Sequence, residues 1–239
     1  MTTLRSGLPV AGASYRQAQT TWWGHLLWVV GAAVLGWAVA AFFAGVLALP
    51  RPLFLVPYVL LTSIFMFGYV RWSGIDPLAH FRHNWRWGLF GALVVGWFVV
   101  QSVLLQPRSP TPQGADLLFN VVWLGFIYGA IDGLLLSVLP IAATWQAFTV
   151  LGWTERWPGQ IAAGLLALIA SLVVTAAYHL GYPEFQGVAV LWPVYGVGVM
   201  SLAYLVTRSP LAPVLGHIAM HVAAVVYGIQ SAMQLPPHY

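Results

Sequence analysis

Residues 22–49 read WWGHLLWVVGAAVLGWAVAAFFAGVLAL, with no acidic residue and no arginine. A helix needs only about 20 such residues to cross the roughly 30 Å hydrocarbon core of a bilayer. The run is longer than the apolar region of a signal peptide and has no cleavage pattern after it. We therefore predict a retained transmembrane helix behind a polar N-terminal tail, residues 1–21.

The whole chain has the character of this first run. Its 239 residues are 60% hydrophobic and 6% charged, with a mean hydropathy of +0.83, whereas roughly a quarter of the residues in a soluble domain are charged. Applied along the chain, the length rule predicts an all-α polytopic integral membrane protein with about seven transmembrane helices in one bundle. The predicted spans are 22–49, 53–70, 86–105, 117–139, 158–180, 188–206 and 211–234.

The connections between these spans are short, so we predict a single transmembrane domain over residues 1–239. The longest connection, residues 71–86, is basic and aromatic and is predicted to lie in the membrane interface. The apolar run from 117 to 152 is too long for one crossing and contains Pro140. This predicts a span, a kink, and then an interfacial or re-entrant piece.

Arginines predict the orientation. Seven of the nine arginines fall on one side of the predicted spans, and basic loops stay in the cytoplasm. We therefore predict a cytoplasmic N-terminus and an external C-terminus, in a membrane such as the bacterial inner membrane, with surrounding lipid as a partner. The pI near 9.6 reflects these loops and does not indicate a nucleic-acid partner. The seven are Arg5, Arg16, Arg71, Arg82, Arg86, Arg156 and Arg208, and the other two are Arg51 and Arg108.

Ionisable residues inside the spans are the candidate functional residues. A charged group in hydrocarbon costs several kcal/mol, so such residues are rare there unless they have a function or a buried partner. Four qualify: Asp132, His179, His217 and His221. His217 and His221 are four residues apart and share one face of the last helix, a spacing that can offer two imidazoles to one metal ion. Thiolate ligands and disulfides are excluded, since the chain has no cysteine.

The order of these residues resembles that of the CAAX prenyl protease and bacteriocin-processing family of intramembrane proteases. The resemblance covers roughly residues 117–226, within a motif-bearing core of about 117–234. The family pattern is Glu-Glu-x-x-x-Arg, then Phe-x-x-x-His, then His-x-x-x-Asn or Asp. The first motif falls on IDGLLLSVLP, the second on TAAYH and the third on PVLGHIAMH.

Residue by residue, the match is partial. Asp132 stands at the first glutamate, with Gly133 at the second and Ser137 at the arginine. His179 is kept, with threonine in place of the phenylalanine. His217 is also kept, and His221 replaces the usual amide or acid.

The resemblance implies hydrolysis of a peptide bond in or near the membrane by an activated water, with a membrane-associated peptide as substrate. Asp132 would be the general base. His179, His217 and His221 would be metal ligands or oxyanion donors, and three histidines with an open fourth position would suit zinc. Counting along the helices places Asp132, His217 and His221 at similar depth and His179 about 9 Å further out, by the helical rise.

A structural interpretation stands beside the catalytic one. Gly125, Gly129 and Gly133 form a stripe of small residues, a common device for close helix packing in membranes. Asp132 would then be a buried carboxyl bonded to Tyr128 or Ser137 on its own helix, or to a histidine of a neighbour. This interpretation predicts a catalytically inactive accessory subunit of a larger membrane complex, with membrane-protein partners.

A pigment-binding or haem-binding subunit is a third possibility, with His25, His80, His83 or the intramembrane histidines as metal ligands. The chain has no haem-attachment cysteine. A transporter is less favoured, because the spans show no inverted repeat and only one intramembrane acid. A channel would require an oligomeric symmetry that sequence does not report.

Overall fold

A computed structural model describes residues 20–235, so most of the predicted polar tail lies outside the described residues. Every regular element in this part of the chain is helical. Short 3-10 turns cover Trp153–Glu155, Pro183–Phe185 and Gly187–Val190. The helices are α1 Trp22–Val46, α2 Arg51–Ser73, α3 Pro77–Arg82, α4 Trp85–Leu104, α5 Gly114–Val150, α6 Trp157–Leu180, α7 Leu191–Thr207 and α8 Leu211–Gly228.

All of these helices except α3 are long and apolar enough to cross a membrane, when the turn Gly187–Val190 is counted with α7, which makes seven within residues 20–235. Large apolar side chains cover the outside of the bundle: Leu93, Trp97 and Val206 are 74%, 71% and 76% exposed. Such a surface is unfavourable in water, at about 25 cal/mol per Å², and suits lipid. The prediction of an all-α polytopic membrane protein is confirmed.

The helix α5 departs from the prediction made for its sequence. It runs as one element over 37 residues, and Pro140 does not divide it. The helix widens into π-type turns over Gly133–Val138, where the amide of Leu139 bonds to the carbonyl of Leu134. The wider turn accommodates a residue that has no N–H to donate. The predicted interfacial or re-entrant piece is wrong, because residues 139–147 are buried against α1 and α6.

The described arginines lie at the two ends of the bundle, because successive helices run in opposite directions. Arg71, Arg82, Arg86, Arg156 and Arg208 lie at one end, which we call the basic end. There the side-chain amide of Asn84 donates to the carbonyl of Thr207. Arg51 lies at the opposite end, where its guanidinium donates to the carbonyl of Ile229, just beyond α8.

The connection after α2 is folded onto the basic end. Asp76 caps α3 by accepting hydrogen bonds from the amides of Leu78 and Ala79. His80 then reaches α7, where its Nε2 lies 2.7 Å from the hydroxyl of Tyr204. Burial lowers the pKa of His80 to about 4, so this imidazole is neutral at pH 7.

The glycine stripe of α5 packs directly on α8. A Cβ placed on Gly125, Gly129 or Gly133 would lie 2.8 Å from an atom of α8. The contacted residues are Val222, Ile218 and Val214, which descend in steps of four as the glycines ascend. The stripe therefore has the packing role that the structural interpretation gives it. It also brings Asp132 beside the histidines of α8.

Candidate functional site

A cavity of about 400 Å³ lies inside the bundle and is lined by all four candidate residues, Asp132, His179, His217 and His221. Its wall also includes Gln106, which follows α4 at the end of the bundle opposite the basic end. The cavity is therefore elongated along the bundle axis. This explains how His179, near the end of α6, shares it with residues at the middle of α5 and α8.

Asp132 is 3% exposed and has two neighbours from other helices. The hydroxyl of Tyr58 donates to Oδ1 at 2.5 Å, and His221 Nε2 lies 3.3 Å from Oδ2. A histidine from a neighbouring helix is thus one of the predicted partners. The other two predicted partners are wrong: Tyr128 bonds to the hydroxyl of Tyr178, and Ser137 accepts from Ser201.

Backbone carbonyls fix the tautomers of two histidines. His217 Nδ1 lies 2.9 Å from the carbonyl of Pro213, and His179 Nδ1 lies 2.9 Å from that of Thr175. A carbonyl only accepts, so each neutral ring carries its proton on Nδ1 and a lone pair on Nε2. A neutral ring of this tautomer accepts a proton or binds a metal through Nε2. It becomes an oxyanion donor there only after it is protonated.

Unpaired polar atoms are concentrated at this cavity. In residues 20–235, three of the six buried side-chain polar atoms without a hydrogen bond are His217 Nε2 and both ring nitrogens of His221. The contact of His221 with Asp132 has the distance of an ion pair but not the alignment of a hydrogen bond. Each buried unpaired group costs about 1–3 kcal/mol. A polar occupant of the cavity would remove that cost.

A metal ion does not fit the site as the side chains are arranged. Within the described ranges, no three histidine, aspartate or glutamate side chains are grouped closely enough to hold one. The rings of His217 and His221 stack with their centroids 6.3 Å apart. We therefore derive no chemical step through zinc, and the zinc site stays a prediction.

Sequence reasoning missed a cluster of buried tyrosines beside Asp132. Tyr58 is the clearest case, since it lies within α2 and was part of no motif. The hydroxyl of Tyr182 donates to that of Tyr178 at 2.7 Å, and Tyr178 pairs with Tyr128 at 3.0 Å. A tyrosine away from the ends of a span could have indicated this cluster from the sequence, because its hydroxyl requires a hydrogen-bond partner in the bundle.

The remaining histidine candidates lie away from the cavity. His25 Nδ1 is 3.2 Å from the hydroxyl of Tyr69, and its Nε2 is 3.2 Å from the hydroxyl of Thr20. His80 is paired with Tyr204. Axial ligation of a macrocycle through Nε2 of either ring would break one of these bonds, so the geometry does not favour them as haem or pigment ligands.

The cavity reaches the lipid-facing surface between α4 and α7. Two of its lining residues, Trp192 and Tyr195, are 71% and 62% exposed, and Tyr195 contacts Phe98 edge to face at 6.2 Å. Met200 and Met220 also line the cavity. The site is thus a mostly apolar chamber with one polar corner, an arrangement common to ligand sites.

No protein-family model, curated protein or solved structure matches the chain. The features that bear on function are therefore the cavity, the carboxylate in it, and the histidine nitrogens that face it.

Proposed function

We propose that the chain is an intramembrane peptidase of the CAAX-protease type, which hydrolyses a peptide bond of a membrane-associated substrate. One observation carries the proposal: a single cavity joins Asp132 to His217 and His221, and three ring nitrogens of this pair are buried without hydrogen bonds. Water or a substrate carbonyl bound there would satisfy them. Perturbed polar groups in a cleft are a common mark of a functional site.

In this mechanism Asp132 is the general base. It removes a proton from a water as that water attacks the peptide carbonyl carbon, so that a carbon–oxygen bond forms. Tyr58 holds Oδ1 of the carboxylate in place, and the water bonds to Oδ2, which lies 3.3 Å from His221 Nε2 but receives no hydrogen bond from it. The carbon–nitrogen bond then breaks, and the proton passes to the leaving nitrogen. His217 orients the water through the lone pair on Nε2.

The apolar wall favours a substrate that enters from the bilayer. Phe98, Tyr195 and Met220 line the route from the surface between α4 and α7 to the polar corner. With the basic end in the cytoplasm, as the arginine distribution favours, the elongated cavity extends toward the external face. We propose the bacterial cytoplasmic membrane as the location.

Cleavage of membrane proteins tests the proposal without a known substrate. The full chain is reconstituted with detergent-extracted membrane proteins in vesicles, and new peptide N-termini are labelled and identified by mass spectrometry. We expect a set of new N-termini, within or next to apolar segments, that appears with the native chain and not with Asp132→Asn. An identical set from both proteins would contradict a hydrolytic role for Asp132.

Metal content tests the zinc prediction separately. Purified protein is analysed by elemental mass spectrometry beside the double variant His217→Ala/His221→Ala. About one zinc per chain, lost in the double variant, would establish a metal site that forms by rearrangement of these side chains. If neither the native chain nor the double variant contains zinc, Asp132 alone activates the water, which is the mechanism proposed for this site.

An inactive accessory subunit is the alternative, and one observation favours it. Gly133 and Ser137, which replace two charged residues of the family pattern, have packing roles in this fold. Gly133 contacts α8, and Ser137 joins a buried hydrogen-bonded cluster with Ser171 and Ser201. This alternative predicts no Asp132-dependent cleavage in the N-terminus experiment.

A further inference from the structure

A second concavity lies on the outside of the bundle, between α4 and α7 at the basic end. It has a volume of about 610 Å³ and apolar walls, including Phe90, Val94, Leu202 and Val206. Asn84 and Thr207 form its polar mouth. We call this concavity the α4–α7 groove.

The groove has the length of one lipid leaflet. Its lining runs along α4 from Asn84 to Val95, a distance of about 16 Å at 1.5 Å per residue. Half of the hydrocarbon core of a bilayer is about 15 Å thick. The groove therefore extends from one polar surface to about the bilayer midplane.

Three arginines lie within two residues of the mouth residues in the sequence. Arg82 and Arg86 flank Asn84 in sequence, are exposed, and have no carboxylate within ion-pair distance in residues 20–235. The guanidinium of Arg86 lies 5.3 Å above the ring of Trp85. Arg208 follows Thr207; burial, and in second place the positive charge of Arg208, lower the pKa of His83. The chain next to the mouth is thus rich in positive charge, while the groove below it is apolar.

We propose that the α4–α7 groove binds an anionic phospholipid, with one acyl chain between α4 and α7 and the phosphate beside Arg82, Arg86 and Arg208. Guanidinium groups suit phosphate oxygens, and basic pockets between transmembrane helices bind anionic head groups. An occupant of this site needs an anion at the membrane surface and an apolar chain one leaflet long. The site is separate from the cavity at Asp132, and the proposal does not depend on the hydrolase proposal.

Native mass spectrometry of the full chain in detergent tests the charged part of the site. Dioleoyl phosphatidylglycerol and dioleoyl phosphatidylcholine are added at equal concentration. We expect preferential retention of phosphatidylglycerol, and a loss of about five-fold for each arginine changed to glutamine among Arg82, Arg86 and Arg208, from about 1 kcal/mol per basic residue. Arg156→Gln, at the same end but on the connection between α5 and α6 rather than next to α4 or α7, is the control and should keep the preference.

A second variant tests the apolar part. Val206→Trp fills the groove and should lower retention of both lipids, whereas Val56→Trp, at another exposed position, on α2, should not. Equal retention of the two lipids by the native chain would overturn the proposal. So would an unchanged preference in the triple arginine variant, or a dimer in which a second copy fills the groove.

Discussion

Asp132→Asn is expected to lower the rate of substrate cleavage by about 10²- to 10⁴-fold, the range that a positioned general base supplies. The amide has nearly the shape of the carboxylate, and its oxygen can still accept the hydrogen bond from Tyr58. It cannot take a proton from water. The fold should therefore survive while the chemistry fails. Initial rates on a peptide identified from the new N-termini measure the effect, with thermal unfolding in detergent as the check on folding.

Asp116→Asn is the matched control. It makes the same chemical change on the same helix, at an exposed position away from the cavity. The rate with this variant should equal that of the native chain. A rate for Asp132→Asn within about two-fold of this control, far inside the expected range, would rule out Asp132 as the base.

Gly129→Val is expected to prevent α5 and α8 from packing, with loss of most of the folded protein. A Cβ at this position would lie 2.8 Å from the Cα of Ile218 and 2.9 Å from its nitrogen. These are backbone atoms, so they cannot rotate away as a side chain does. Overpacking of a core typically costs about 1–3 kcal/mol. We expect more here, against a total stability of about 5–15 kcal/mol.

Gly196→Val, on α7, controls for the change in helix propensity. Apart from its own stretch of helix, no atom in the described part of the chain lies within 4 Å of a Cβ at Gly196. Thermal unfolding and yield in detergent should be near native for this variant and strongly reduced for Gly129→Val. Equal stability of the two variants would mean that α5 and α8 do not approach each other as described.

The number and type of the helices could be predicted because the bilayer imposes one rule, a length of apolar sequence, at every span. The predicted end of α6 at residue 180 agrees with the observed helix, and most other ends differ by a few residues. The rule failed for α5, where burial against neighbouring helices, not lipid, determines the structure after Pro140. A rule about single spans contains no information about such tertiary packing.

The candidate residues could be named because a charge or an imidazole inside a span is rare. Their approach to one cavity could not be derived from counting, which compares positions along separate helices and cannot show that an elongated cavity joins His179 to the other three residues. Tyr58 could not be predicted as a partner of Asp132, because their hydrogen bond depends on α2 lying beside α5. That neighbour relation is long-range and leaves no mark in the sequence of either helix.

Thiol reactivity tests most directly the central claim that water reaches Asp132 and the histidines inside the membrane. The native chain has no cysteine, so His217→Cys reports on the cavity alone. The fully buried Thr62→Cys, outside the cavity, is its control. In sealed vesicles, a membrane-impermeant methanethiosulfonate reagent added at the face opposite the basic end should modify His217→Cys and leave Thr62→Cys unreacted. Equal protection of both cysteines would show a dry cavity and contradict the hydrolytic account.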